Sequence, residues 1–187
     1  KEFPDQKYFV SLITFNSTVR EIFMDRPASE VKEITHEDYK PNNNTALLDA
    51  IGLGITRLED KIAPSLNDAT KIVTAVVVIM TDGHENYSQK WSSTSVKETI
   101  ERVKKNDKFT VNFVGANQDA VLMGHSLGVD RSNSMNYAAS VKGTNSLGRA
   151  LSASLQSRAK SIYSQDISFV GGTMDAGATY FSAVVAD

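Results

Sequence analysis

Apolar positions follow two rhythms along this chain. Residues 75–81, A-V-V-V-I-M-T, form an almost unbroken, largely β-branched run. A run that short, without polar alternation, predicts a strand buried on both faces in the middle of a parallel sheet. Residues 8–15 and 19–23 are further apolar runs separated only by Asn16-Ser17-Thr18, and a connection that short predicts an antiparallel hairpin. Residues 109–114 and 134–137 read as two more strands. Between them the period lengthens. Leu47, Leu48, Ile51, Ile55, Leu58 and Ile62 recur at helical spacing, predicting a helix that opens at Thr45 and ends before Pro64. Gly52 and Gly54 inside it each cost helix stability, and close packing against the sheet is the expected reason for them.

Ser95-Val96-Lys97-Glu98 has capping-box spacing, with Val96, Ile100 and Val103 as the stripe of the helix it opens. A short helix is expected over 119–127, closed by Gly128, and a longer one over 146–162. Residues 24–40 predict a loop or short helix. After residue 163 the pattern breaks into two β-like pieces, 166–170 and 179–185, around a glycine-rich linker. Strands alternating with helices predict the α/β class, with a Rossmann-like, mostly parallel sheet, an antiparallel edge hairpin and helices on both faces. The domain reading is one unit over residues 1–163 and a C-terminal tail over 164–187 with β segments.

Composition narrows the function classes. The 187 residues suffice for one substantial core. Net charge is -2 with no basic block beyond Lys104-Lys105, so nucleic-acid binding has no electrostatic footprint. The absence of cysteine excludes disulfides, zinc–thiolate sites and cysteine catalysis. No apolar run reaches membrane-spanning length. Asn16, Asn43 and Asn86 each open a glycosylation-type triplet, which carries no weight without a secretion signal. The sequence assigns no compartment.

The chemistry concentrates where the central strand stops. It ends at Asp82-Gly83, a turn pair, and the carboxyl ends of parallel strands are where open α/β sheets place their ligand crevice. Thr45 follows the loop 41–44 at what should be the same rim. A hydroxyl and a carboxylate converging there suit a hard cation such as Mg2+, which takes oxygen ligands and keeps several waters. Plainer readings stand beside this one: Asp82 as a turn residue and Thr45 as a helix N-cap.

These residues resemble the von Willebrand factor type A domains. The resemblance is carried, in order, by Y-F-V-S-L-I-T-F-N, N-N-T-A-L-L-D-A-I and V-V-V-I-M-T-D-G-H-E-N. Gly115-Ala116-Asn117-Gln118-Asp119-Ala120 is similar to a bacterial branch of that family. The resemblance implies a metal-ion-dependent adhesion site, with Thr45 as the loop threonine on the metal and Asp82 holding it, usually through water. Mg2+ (or Mn2+ or Ca2+) is the implied cofactor, and a partner protein presenting an acidic side chain would complete the coordination. The family's opening strand, ending in Asp-x-Ser-x-Ser, does not precede these motifs, so metal affinity is expected to be weak or absent. Asp130-Arg131-Ser132-Asn133-Ser134 has that spacing but precedes the last predicted strand, which puts it at the opposite rim. The slot left by the opening strand must be filled, because bare facing edges are aggregation sites. Either about 30 or more residues ahead of Lys1 fill it, or residues 180–185 do.

Two other functions compete with a metal-dependent interaction module. One is a metal-independent structural or scaffold domain. The other is a serine hydrolase built on Gly124-His125-Ser126-Leu127-Gly128, which matches the nucleophile-elbow pattern. The elbow needs a strand before the serine, and the acid and histidine after it. None of His36, His84 and His125 follows Ser126, so the expectation is no enzyme, with Ser126 on or just after a helix.

Overall fold

A computed structural model describes residues 6–35, 37–38, 44–66, 68, 71–106, 108–116, 120–138, 140–168 and 175–186. Strands β1 (Lys7–Phe15) and β2 (Val19–Pro27) form the antiparallel hairpin, followed by a 3-10 turn over Ala28–Glu30. Helix α1 (Leu47–Leu66), strand β3 (Lys71–Thr81), helix α2 (Ser93–Lys104) and strand β4 (Phe109–Ala116) alternate next. Helix α3 (Ala120–Ser126), strand β5 (Ser134–Tyr137), helix α4 (Val141–Ser168) and strand β6 (Asp175–Ala186) complete the order. The strands make one sheet in the order β2-β1-β6-β3-β4-β5. Every neighbouring pair except β1–β2 is parallel, as the α/β reading expects.

Alternation along β3 explains the two layers. Val73, Ala75, Val77 and Ile79 join the buried faces of α1 and α2 in the larger core. Val76 and Val78 turn to the other face, where Val114 and Leu147 of α4 meet them. A strand covered on both sides has no use for polar residues, which is why its sequence does not alternate. Ion pairs of Arg57 with Glu21 at 3.0 Å and Lys61 with Asp25 at 2.6 Å join α1 to β2.

The central slot is filled by β6. It runs parallel to β1 on one side and β3 on the other. Val10 and Val76 both lie opposite Phe181, so β1 and β3 stand two strand spacings, about 10 Å, apart. Of the two candidate fillings, the structure has the one drawn from the C-terminal piece.

Several local expectations need correction. Pro64 lies inside α1, in its last turn, rather than beyond it; it brings no N–H for a bond to the carbonyl four residues back, and the helix ends two residues later. Helix α2 starts three residues earlier than its Ser95–Glu98 signal. Ser92 is the N-cap, its side chain accepts from the Ser95 N–H, and the Ser95 hydroxyl completes the box in place of Glu98. Residues 166–168 are the end of α4, not a β piece, and 169–170 lie outside the described residues. The expectation at Gly128 holds: its φ is +88°, the left-handed conformation that closes a helix.

Candidate functional site: the carboxyl rim of the sheet

Parallel strands bring Phe15, Thr81, Ala116, Tyr137 and Ala186 to one rim. Thr45 stands there just ahead of α1. Its N–H donates to Asn86 Oδ1 at 2.8 Å, and its carbonyl accepts the Asn86 N–H at 3.2 Å. Its hydroxyl lies against the turn after β3, so that a Cβ on Gly83 would come within 2.8 Å of Thr45 Oγ1. A side chain there would have to displace the Thr45 hydroxyl, so glycine suits the close approach rather than an unusual backbone conformation. The turn is tightened by the Thr81 hydroxyl, which donates to the Gly83 carbonyl at 3.0 Å. Thr45 and the Asp82-Gly83 turn, far apart in sequence, therefore share one corner.

Asp82 is exposed. Its surroundings show in Tyr137, whose hydroxyl is pushed above the usual phenol range, first by burial and then by the negative charge of Asp82. Thr81 pairs with Gly115 of β4, and the next β4 residue, Ala116, pairs with Tyr137. Only the small residues Gly115 and Ala116 of β4 stand in register between them. Tyr137 carried no signal in the sequence; only the order of the strands brings it here.

The rest of the loop after β3 is knitted onto α1. Glu85 accepts the N–H groups of Leu48 at 2.9 Å, Tyr87 at 2.8 Å and Ser88 at 2.7 Å, and the Ser88 hydroxyl at 2.7 Å. Asp49 reciprocates from the helix, accepting the N–H groups of Gln89, Lys90 and Trp91 at 3.0, 2.9 and 2.8 Å. Burial works against ionising both acids, but these hydrogen bonds outweigh it and hold both below the usual carboxylate range. Trp91 then lays its indole over Gly52, where a Cβ would sit 2.1 Å from the ring. Gly52 is therefore small because of Trp91 and not, as its spacing suggested, because of the sheet.

On the hairpin side, the Ala46 N–H donates to the Asn16 carbonyl at 2.8 Å and Asn44 Nδ2 to Ser17 Oγ at 2.9 Å. Asn42 and Asn43 of the loop before Thr45, and residues 117–119 after β4, lie outside the described residues. The Thr45 hydroxyl and Asp82 carboxylate offer oxygen only, the donor chemistry of a hard cation. The set fits Mg2+ in kind and is short in number: among the described residues no three His, Asp or Glu side chains gather to hold a metal.

The other two motifs lie elsewhere. Ser126 is the last residue of α3, exposed, and its hydroxyl donates back to the Met123 carbonyl at 2.7 Å. A serine that ends a helix is not in an elbow, which has a strand before it. Asp130 precedes β5, at the amino end of the parallel strands, and pairs with Lys104 at 2.6 Å. Its carbonyl accepts the Ser134 hydroxyl at 3.2 Å, so this motif anchors β5 at the rim opposite Asp82.

An open, mostly parallel sheet sandwiched by helices, with a polar corner at the strand carboxyl ends, defines a Rossmann-like α/β module. The family model for the von Willebrand factor type A domain matches residues 3–140, and the chain belongs to that family. It is thereby a protein-interaction module in general. No curated protein and no solved structure matches it. The matched stretch stops before β6, so the strand in the central slot comes from outside it. No helix among the described residues is long and apolar enough to cross a membrane.

Proposed function

We propose that the chain binds a partner protein through this rim, by way of a Mg2+-type cation held at Thr45 and Asp82. The observation that carries the reading is the contact between the Thr45 hydroxyl and Gly83. It sets a neutral oxygen donor beside the residue that follows an exposed carboxylate. The cation, when bound, would supply a positive charge with open positions, which an acidic side chain of the partner could occupy. Thr45 and Asp82 would hold it with water filling the remaining positions. Tyr137 would face Asp82 from the far side.

Calorimetric titration of Mg2+ and Mn2+ tests this, with Asp82→Ala and Thr45→Ala as controls. At 100 times its dissociation constant a cation stabilises the folded state by about 2.7 kcal/mol. At this length that is a rise in Tm of about 5–10 °C. The expected result is heat and a raised Tm in the parent protein, with both lost in Asp82→Ala. No heat together with an unchanged melt removes the cation.

One observation favours a second reading, a module that binds without metal. The remaining acid in the described loop, Glu85, is committed to backbone N–H groups, so among the described residues Thr45 and Asp82 are the two donors left. Partner binding that persists undiminished in EDTA would decide for it.

A further inference from the structure

We propose that Glu85 is a positioning residue: its carboxylate takes no ligand but fastens the loop 82–88 to the first turn of α1, and so sets where Thr45 and Asp82 stand. The proposal rests on the rim being the binding surface. In the run T-D-G-H-E-N, Glu85 is the second acid after the strand, and by chemistry alone it would be counted as a further metal ligand. Its hydrogen bonds assign it otherwise. Oε1 accepts from the Tyr87 and Ser88 N–H groups, and Oε2 from the Leu48 N–H and the Ser88 hydroxyl. An ionised carboxylate has roughly four lone-pair sites, and four donors occupy them.

The location adds a reason. Leu48 is the second residue of α1, so its N–H is one of the orphan donors at the helix start. A negative charge there is favoured by the helix dipole. The cap comes from a distant segment, so it closes a loop as well as a helix. Ser88 extends the link by accepting the Asp49 N–H at 3.1 Å. Asn86, one residue after Glu85, grips Thr45 through both of that residue's backbone groups. Releasing Glu85 therefore loosens the turn that carries Asp82 and the strap that holds Thr45 in one event.

The test is amide hydrogen exchange by NMR on the metal-free protein, with Glu85→Ala and Glu85→Gln, and a parallel Mn2+ titration that includes Asp82→Ala. Removing a capping side chain is expected to speed exchange at Leu48, Tyr87, Ser88 and Thr45 about five- to tenfold. Val77 and Val111 in the core strands should exchange as before. Glu85→Gln, which keeps an acceptor but sets an amide N–H2 against donors, should fall between. Mn2+ affinity should drop by a similar factor in Glu85→Ala and vanish in Asp82→Ala. Unchanged metal-free exchange at the four amides overturns the proposal, and combined with lost Mn2+ affinity it would make Glu85 a direct ligand. If Glu85→Ala does not fold, Glu85→Gln decides by the same criterion. If the parent protein takes up no Mn2+, the cation reading fails by itself, and the exchange rates still decide the role of Glu85.

Discussion

Gly52→Ala sets two familiar effects against each other at one position. Replacing a helical glycine by alanine ordinarily stabilises by about 1 kcal/mol. Here the new methyl would lie 2.1 Å from Cδ2, 2.2 Å from Cε2 and 2.6 Å from Cε3 of Trp91. Carbon atoms rest at about 3.5–4.0 Å, so the indole must retreat by roughly 1.5 Å. The backbone N–H of Trp91 is held on Asp49 at 2.8 Å, so the residue cannot withdraw as a whole and the ring must rotate away. Overpacking of this kind costs about 1–3 kcal/mol. The net effect is a loss of about 0–2 kcal/mol, or up to about 8 °C in Tm for a chain of this size. Trp91 is the only tryptophan, so its emission reports the displacement directly and should shift to the red. Gly148→Ala is the matched control, since a Cβ there meets nothing within 4 Å; it should gain about 1 kcal/mol, or about 2–4 °C. If Gly52→Ala raises Tm as much as the control and leaves the emission unchanged, the indole does not sit on Gly52, and the account of this loop is wrong.

Gly124→Ala should destabilise by about 1–3 kcal/mol, since its Cβ would meet Ser134 Oγ at 2.5 Å and Phe113 Cβ at 3.0 Å; a denaturant melt reads it. Asp49 and Glu85 ionise more readily folded than unfolded, so their stabilisation is complete above the ordinary carboxylate pKa. It is lost as pH falls through their lower folded values. Tm should be level above about pH 5 and fall below about pH 4, with a shallower acid slope in Asp49→Asn/Glu85→Gln; an equal slope would refute the assignment. Ser126→Ala, at an exposed helix end, should move stability by less than about 0.5 kcal/mol and leave any partner affinity intact.

What the sequence made legible follows from period and chain order. The β3 run and the α1 stripe each carry a strong local signal, because burial on two faces and burial on one stripe write different patterns. Asp82 and Thr45 could be placed on one rim because parallel strands leave no other end for them. Glu85, Asn86 and Asp49 were not legible in their roles. Each acts on backbone N–H groups of a distant segment, and a hydrogen bond to backbone leaves no trace in the partner's side chain. The same holds for Gly52, whose small size answers to a ring 39 positions later. The start of α2 was missed because Ser92 and Ser95 form the box with a serine where glutamate is the usual signal.

The place of β6 bears on how the protein is made. Five strands of the sheet are complete by Tyr137, yet the one that joins β1 to β3 begins only at Asp175. On the ribosome, at about 5–20 residues per second, the hairpin and the β3–β4–β5 half wait for several seconds with inner edges uncovered. Pairing Lys7 with Ala178 spans nearly the whole described chain, a contact that slows folding because its loop must close before anything is gained. In the finished sheet the two halves are joined only through this last described strand. The interval before it is made, rather than any weakness of the finished core, is where a chaperone would have work to do.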